Sequence, residues 1–333
     1  MALMTSTTTE LAHQYQTLFS KKMLPRARQK LVLDEYATKM PFPKNTGSKT
    51  IRFFRMEAGA AANVSALTEG VALSTYSEIG LDYVEATLAQ SGQVYKISDV
   101  LSMTELFDTM SGSVDRAGED AGLYADQIIR NAVVTGVTTA GNKRYAGGAA
   151  DYAALKALTS TAGKMKIADL LDAMTQLTIQ RAPTKNGEYF AIVPPQVARD
   201  LMTDATYWIP SNVYQNNTQL MKGEVGKWFN VRIVVATVPF REDGTTGGGS
   251  AEGTYSAAGT DPILTTIVTG SDGFGTPIMA GGSPFSPKMY VSEGNSKTDP
   301  LNQFTMVGWK AYWTAVLLNA SWVVTIRSKT AFA

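Results

Sequence analysis

The residues able to carry chemistry are few, and their spacing argues against an active site. His13 is the only histidine and there is no cysteine. Disulfides, thiolate zinc sites, cysteine nucleophiles and thioether-linked haem are excluded together. His13 stands in a polar, Thr-rich stretch far in sequence from any Ser/Asp partner, which argues against a triad or a histidine metal site. Gly247-Gly-Gly249 lacks the preceding strand, the following helix and the Gly-Lys-Ser/Thr ending of a phosphate cradle. Gly270-Ser-Asp-Gly-Phe-Gly275 holds one carboxylate, too few for a calcium ion that takes six or more oxygens, and reads as a tight turn. Glu119/Asp120 and Glu242/Asp243 are adjacent pairs. On a helix such neighbours point about 100° apart, so they read as solvated charge. The expectation is a non-enzyme with no catalytic residues, no cofactor and no metal.

One constellation remains, and it is electrostatic. From Ser20 to Arg55 the cations Lys21, Lys22, Arg26, Arg28, Lys30, Lys39, Lys44, Lys49, Arg52 and Arg55 face only Asp34 and Glu35, a net +8. From Met56 to Ser98 the acids Glu57, Glu69, Glu78, Asp82 and Glu85 face Lys96 alone, a net −4. Segments of opposite sign can complement each other within one molecule or between copies. Exposed pairs are worth only about 0–1 kcal/mol each, so two solvated faces are an equal reading of the charge pattern.

The elements that must present these charges follow from periodicity. Thr9 to Ala37 reads as two short helical pieces of an arm, split at Pro25. Lys49–Met56 and Gly92–Ser98 alternate apolar and polar residues and read as the two strands of one hairpin. Between them Glu57–Ser91 has no Lys, Arg or Pro and is far longer than an ordinary hairpin loop. Ser102-Met-Thr-Glu105 reads as a capping box. The stripe Leu106, Met110, Val114, Ala117, Ala121, Tyr124, Ile128 and Ala132 then predicts a long spine helix ending near Gly136. Gly118 and Gly122 inside it call for another backbone at close range, as strands laid across the helix would supply.

Beyond the spine, Ile167–Gln180 reads as an amphipathic helix, Tyr189–Val193 as a buried strand and Pro195–Met202 as a short helix. Gly226–Ala236 and Pro262–Val268 read as strands, and Arg241–Thr260, with six glycines, as a surface excursion outside the core. Phe304–Leu318 and Trp322–Ser328 read as a long closing hairpin.

Composition bounds the whole. The 333 residues carry a net charge of +1, and 18% are charged, against about a quarter in ordinary soluble domains. The balance excludes a dedicated nucleic-acid binder, and the shortage of charge points to surface hidden in partners. The polar Thr-rich start shows no secretory signal, and the apolar run Ala311–Ile326 is interrupted by Thr314, Asn319, Ser321 and Thr325. The expectation is a chain with no membrane partner.

The order of these elements resembles the major capsid protein of tailed bacteriophages, the Hong Kong 97-type fold, and within it the capsid family typified by the phage named N-four. The likeness is carried by Leu24-Pro25, Pro41-Phe-Pro43, Gly47-Ser-Lys-Thr-Ile51, Leu67-Thr-Glu-Gly70, Tyr95-Lys-Ile-Ser-Asp99, Arg144-Tyr-Ala-Gly-Gly148, Gly223-Glu-Val-Gly-Lys227, Gly273-Phe-Gly275, and Val307-Gly-Trp-Lys-Ala311 with Leu317-Leu318-Asn319. The resemblance implies an α+β subunit with an arm (1–48), an extended loop (49–98), a peripheral domain (99–135 and 290–333) and an axial domain (136–289).

It implies self-assembly into hexamers and pentamers of an icosahedral shell around double-stranded DNA, in a virion assembled in the host cytoplasm. Separate scaffolding, portal and decoration proteins belong to the same expectation. Candidate contacts between copies are Lys21, Lys22, Arg26 and Arg28 on the arm, with Glu57, Glu69, Glu78, Asp82 and Glu85 on the loop. Two other readings stand beside it. A tail, decoration or surface-binding module would form small oligomers. A self-crosslinking capsid would need a loop lysine, and Glu57–Ser91 contains none.

Overall fold

A computed structural model describes residues 31–42, 48–56, 69–70, 80–105, 108–204, 224–245, 251–257, 261–278, 285–292, 303–330 and 332. The first described strand, β1 (Thr38–Pro41), follows a single turn of 3₁₀ helix at Leu33–Tyr36. In β2 (Thr50–Met56), Ile51 and Phe53 turn inward while Arg52 and Phe54 face out. It pairs antiparallel with β3 (Leu81–Thr87), from Thr50 opposite Thr87 to Met56 opposite Leu81. The hairpin is therefore β2–β3. The second strand expected for it, β4 (Ala89–Ser98), runs antiparallel to a strand more than 200 residues away. Local alternation marks both as strands but says nothing about the partner.

After a short helix at Asp99–Thr104, capped by Ser98, the spine helix runs Thr109–Gly136, about 42 Å at 1.5 Å per residue. Its cap is Asp108, which accepts from the Ser111 amide at 3.0 Å. The Ser102 capping box does not start it, and Leu106 lies outside the described residues. The buried stripe is Val114, Ala117, Ala121, Ala125, Ile129 and Val133. Its second half is thus one position on from the expected Tyr124, Ile128 and Ala132. Gly118 and Gly122 are buried on the helix; six residues or fewer further along, Tyr124 packs on Trp309 at 5.7 Å between ring centroids.

A seven-stranded sheet forms the second half. Its strands are β5 (Lys143–Tyr145), β6 (Tyr189–Val193), β7 (Glu224–Trp228), β8 (Val231–Val235), β9 (Phe240–Asp243), β10 (Pro262–Thr269) and β15 (Val323–Lys329). The order is β5-β15-β10-β6-β8-β7, with β9 also on β10. Gly226–Ala236, expected as one strand, spans the end of β7, a turn at Phe229, whose φ of 49° is unusual for an aromatic residue, and β8. Every residue of β6 and β15 is buried, because the sheet is covered on both faces. Ala191, Val193, Leu264 and Ile326 meet the helices Ile167–Ile179 and Pro195–Met202, while Ile192 and Ile267 meet the spine-helix core. Among the described residues no helix is long and apolar enough to cross a membrane.

The closing hairpin also divides. Of β11 (Phe274–Ile278), β12 (Lys288–Ser292), β13 (Phe304–Trp313) and β14 (Val316–Leu317), β13 pairs with β4 and β12, whereas β15 pairs with β10 and β5. Adjacent strands have gone to separate sheets. β1 and β14 flank β11 in a third sheet, against which the hairpin seats Ile51, Phe53 and Ala86 on Met40, Phe42, Val316 and Leu318.

The Gly-rich stretch is not wholly outside the core. Glu242, on β9, is fully buried and accepts from Arg327 Nε at 3.2–3.3 Å. Glu252 meets Arg327 at 3.2 Å and Lys143 at 3.1 Å. Burial pushes Glu252 up, but Lys143, Arg327 and Tyr145 outweigh it and hold the carboxyl below its ordinary value. The reading of Glu242 as solvated charge is overturned: glycine content masks two carboxylates that close on one buried guanidinium.

Candidate assembly surfaces

Two surfaces present side chains with no role in either core. The first is the outer face of the β2–β3 hairpin. Phe54 and Tyr83 are register partners with ring centroids 6.4 Å apart, and with Leu81 they are half or more exposed. Arg52 stacks 4.9 Å over the Tyr83 ring. Three exposed apolar side chains side by side on the outward face of this ribbon form a patch of the kind that marks an interaction surface.

The hairpin also pairs its own charges. Arg52 Nε meets Glu85 at 2.6 Å, and Arg55 meets Asp82 at 2.7 Å, across the strands. Basic strand and acidic strand thus complement each other within one chain. Glu69 is exposed in a turn with Gly70 at φ 77°. Lys21, Lys22, Arg26, Arg28, Glu57, Glu78 and His13 lie outside the described residues.

The second surface was not anticipated from the sequence. The sheet β12-β13-β4 packs one face on the spine helix through Tyr95, Val307, Trp309 and Met289. The opposite face carries Lys96, Lys288 and Lys310, with Tyr290 and Tyr312 exposed beside them. Lys288 stands directly opposite Lys310, and Lys96 opposite Met306. Lys96 Nζ lies 3.1 Å from the centre of the Phe304 ring, and Lys310 Nζ 5.3 Å from that of Tyr312. No acidic side chain stands among the described outward positions of β4, β12 and β13. The only sequence signal was alternation; which lysines share a face depends on the β4–β13 register. On the helix side Asp120 accepts from the Tyr95 hydroxyl and pairs with Arg116 at 3.4 Å, so it is not a free solvated charge, and burial raises its pKa.

No protein-family model and no curated protein matches the sequence. Solved structures do. The capsid of Ralstonia phage GP4 has a TM-score of 0.64 at 14% identity, over 89% of this chain and 87% of that one. The capsid of cyanophage Pam1 has a TM-score of 0.62 at 12% identity, over 92% and 93%. This is the Hong Kong 97-type capsid fold. The fold extends beyond phage heads: an encapsulin complex of Synechococcus elongatus has a TM-score of 0.54 at 9% identity, over 100% of this chain and 94% of that one. At such identities the capsid fold is kept by the arrangement of hairpin, spine helix and sheets and by few shared residues.

Proposed function

We propose that this chain is the major capsid protein of a tailed phage, a structural subunit that assembles with itself, as hexamers and pentamers, into an icosahedral shell around double-stranded DNA. The observation that carries the reading is the capsid fold over about nine-tenths of the chain, with a hairpin whose outer face leaves Phe54, Leu81 and Tyr83 exposed among the described residues. The two cores support a peripheral unit built on the spine helix and an axial unit built on the seven-stranded sheet. On strand pairing, β4 goes with the peripheral unit and β15 with the axial one. Residues 1–48 act as the arm and the stretch from 49 to the end of β3 as the extended loop. Assembly proceeds in the host cytoplasm with separate scaffolding and portal proteins, and no step needs catalysis.

Contacts between copies fall to the hairpin's exposed apolar face and to Glu57, Glu69 and Glu78 between its strands, and to cations elsewhere, the Lys96, Lys288 and Lys310 face together with the arm's Lys21, Lys22, Arg26 and Arg28. Purified protein examined by size-exclusion chromatography and negative-stain microscopy should give closed particles, and discrete small oligomers would overturn the reading. The double variant Phe54→Ser/Tyr83→Ser should remain folded, since both side chains lie outside the cores, and should lose particles.

A further inference from the structure

The chain from Val32 to Lys39 is a strap joining the spine helix to the rest of the subunit. At one end the amides of Val32 and Leu33 donate to the two carboxylate oxygens of Asp126, at 2.9 and 3.1 Å. Val32, the cap of the Leu33–Tyr36 turn, makes no side-chain capping bond of its own, so a carboxylate from another element does that work. Asp126 is 1% exposed in the middle of the spine helix, and Leu33 is buried beside it. At the other end Asp34, also buried, pairs with Lys39 and accepts from the Thr276 hydroxyl at 2.9 Å. Tyr36 packs on Phe190 with ring centroids 4.5 Å apart, and Lys185 donates to the Glu35 carbonyl at 3.0 Å. The residues immediately before the strap are the cationic stretch that includes Arg26 and Arg28.

We propose that Asp126 is a latch: its carboxyl group fixes the root of the basic N-terminal segment to the spine helix. The latch belongs to the single chain and does not depend on the shell reading. The charged groups around Asp126 are Asp34 on the strap, Lys39 at its far end and Arg130 one helical turn on. Arg130 donates to the Pro239 carbonyl at 2.8 Å and stacks on Tyr255. Burial dominates and pushes the Asp126 pKa up to about 7; the two strap amides and Arg130 lower it, and Asp34 adds to the rise. With the strap lifted, the carboxyl meets water and returns to about 4. The latched form binds the proton more tightly, so lifting the strap releases a proton between about pH 4 and pH 7. Opening therefore grows about tenfold per pH unit in that window and levels off above it.

The test is amide hydrogen exchange of the full chain, read at residues 31–36 and corrected for intrinsic rate, from about pH 5 to about pH 8.5. The opening constant should climb to about pH 7 and then flatten, while Asp126→Asn should show no such climb and keep its spine-helix protection. A flat wild-type profile, or the same climb in Asp126→Asn, would overturn the latch. Should that variant fail to fold, Asp34→Asn decides: removing the neighbouring negative charge should move the bend to lower pH, and an unmoved bend would overturn the proposal.

Discussion

At the scale of single residues, the sharpest contrast lies between ion pairs that look alike in sequence. Arg327 is 1% exposed and Glu242 is fully buried, whereas Arg52 and Glu85 meet on the hairpin's open face. Removing one partner of a buried pair strands a charge and costs about 3–5 kcal/mol, while an exposed pair contributes about 0–1 kcal/mol. Glu242→Gln should accordingly lower the unfolding free energy of the chain by several kcal/mol in denaturant titration, and Arg52→Ala by about 1 kcal/mol or less. Equal losses would mean that the Arg327 cluster is not the anchor described. Glu242 and Glu252 show why such a site is hidden in sequence. Both sit among glycines, which signal a loop, and the guanidinium they face lies 75 or more positions further on.

At the scale of elements, strand identity was legible and strand partnership was not. β2, β4, β6 and β10 all announced themselves by alternation or by short apolar runs. The pairing of β4 with β13 instead of β2 turns on tertiary packing: Tyr95 and Trp309 lie on the face that meets the spine helix, which a hairpin with β2 would leave uncovered. Gly92 records how close these strands come, because a Cβ there would meet the Trp309 carbonyl and the Lys310 backbone. Gly92→Val should open this crossing. Hydrogen exchange should show lost protection at 89–93 and 309–313 with 263–269 and 323–329 unchanged, and loss across both regions would mean that the two cores unfold together.

At the scale of the whole molecule, the expected shell is held without covalent lacing. There is no cysteine, and Glu57–Ser91 has no lysine to offer as an amine. Particles boiled in detergent should run as one band near 35.8 kDa; a ladder of multimers would contradict this and direct attention to Lys49 and Lys96. By itself the sequence determined the absence of thiol chemistry, the long helix, most strands, and the opposition of a basic and an acidic segment. All of these depend on residue type and short-range period. Only the tertiary structure decided which strands share a sheet, that Asp82 and Glu85 are paired within their own hairpin, that three lysines from distant segments share one face, and that Asp126 accepts from the amides of Val32 and Leu33. Each of these joins residues far apart in sequence, where alternation and helical period carry no information about partners.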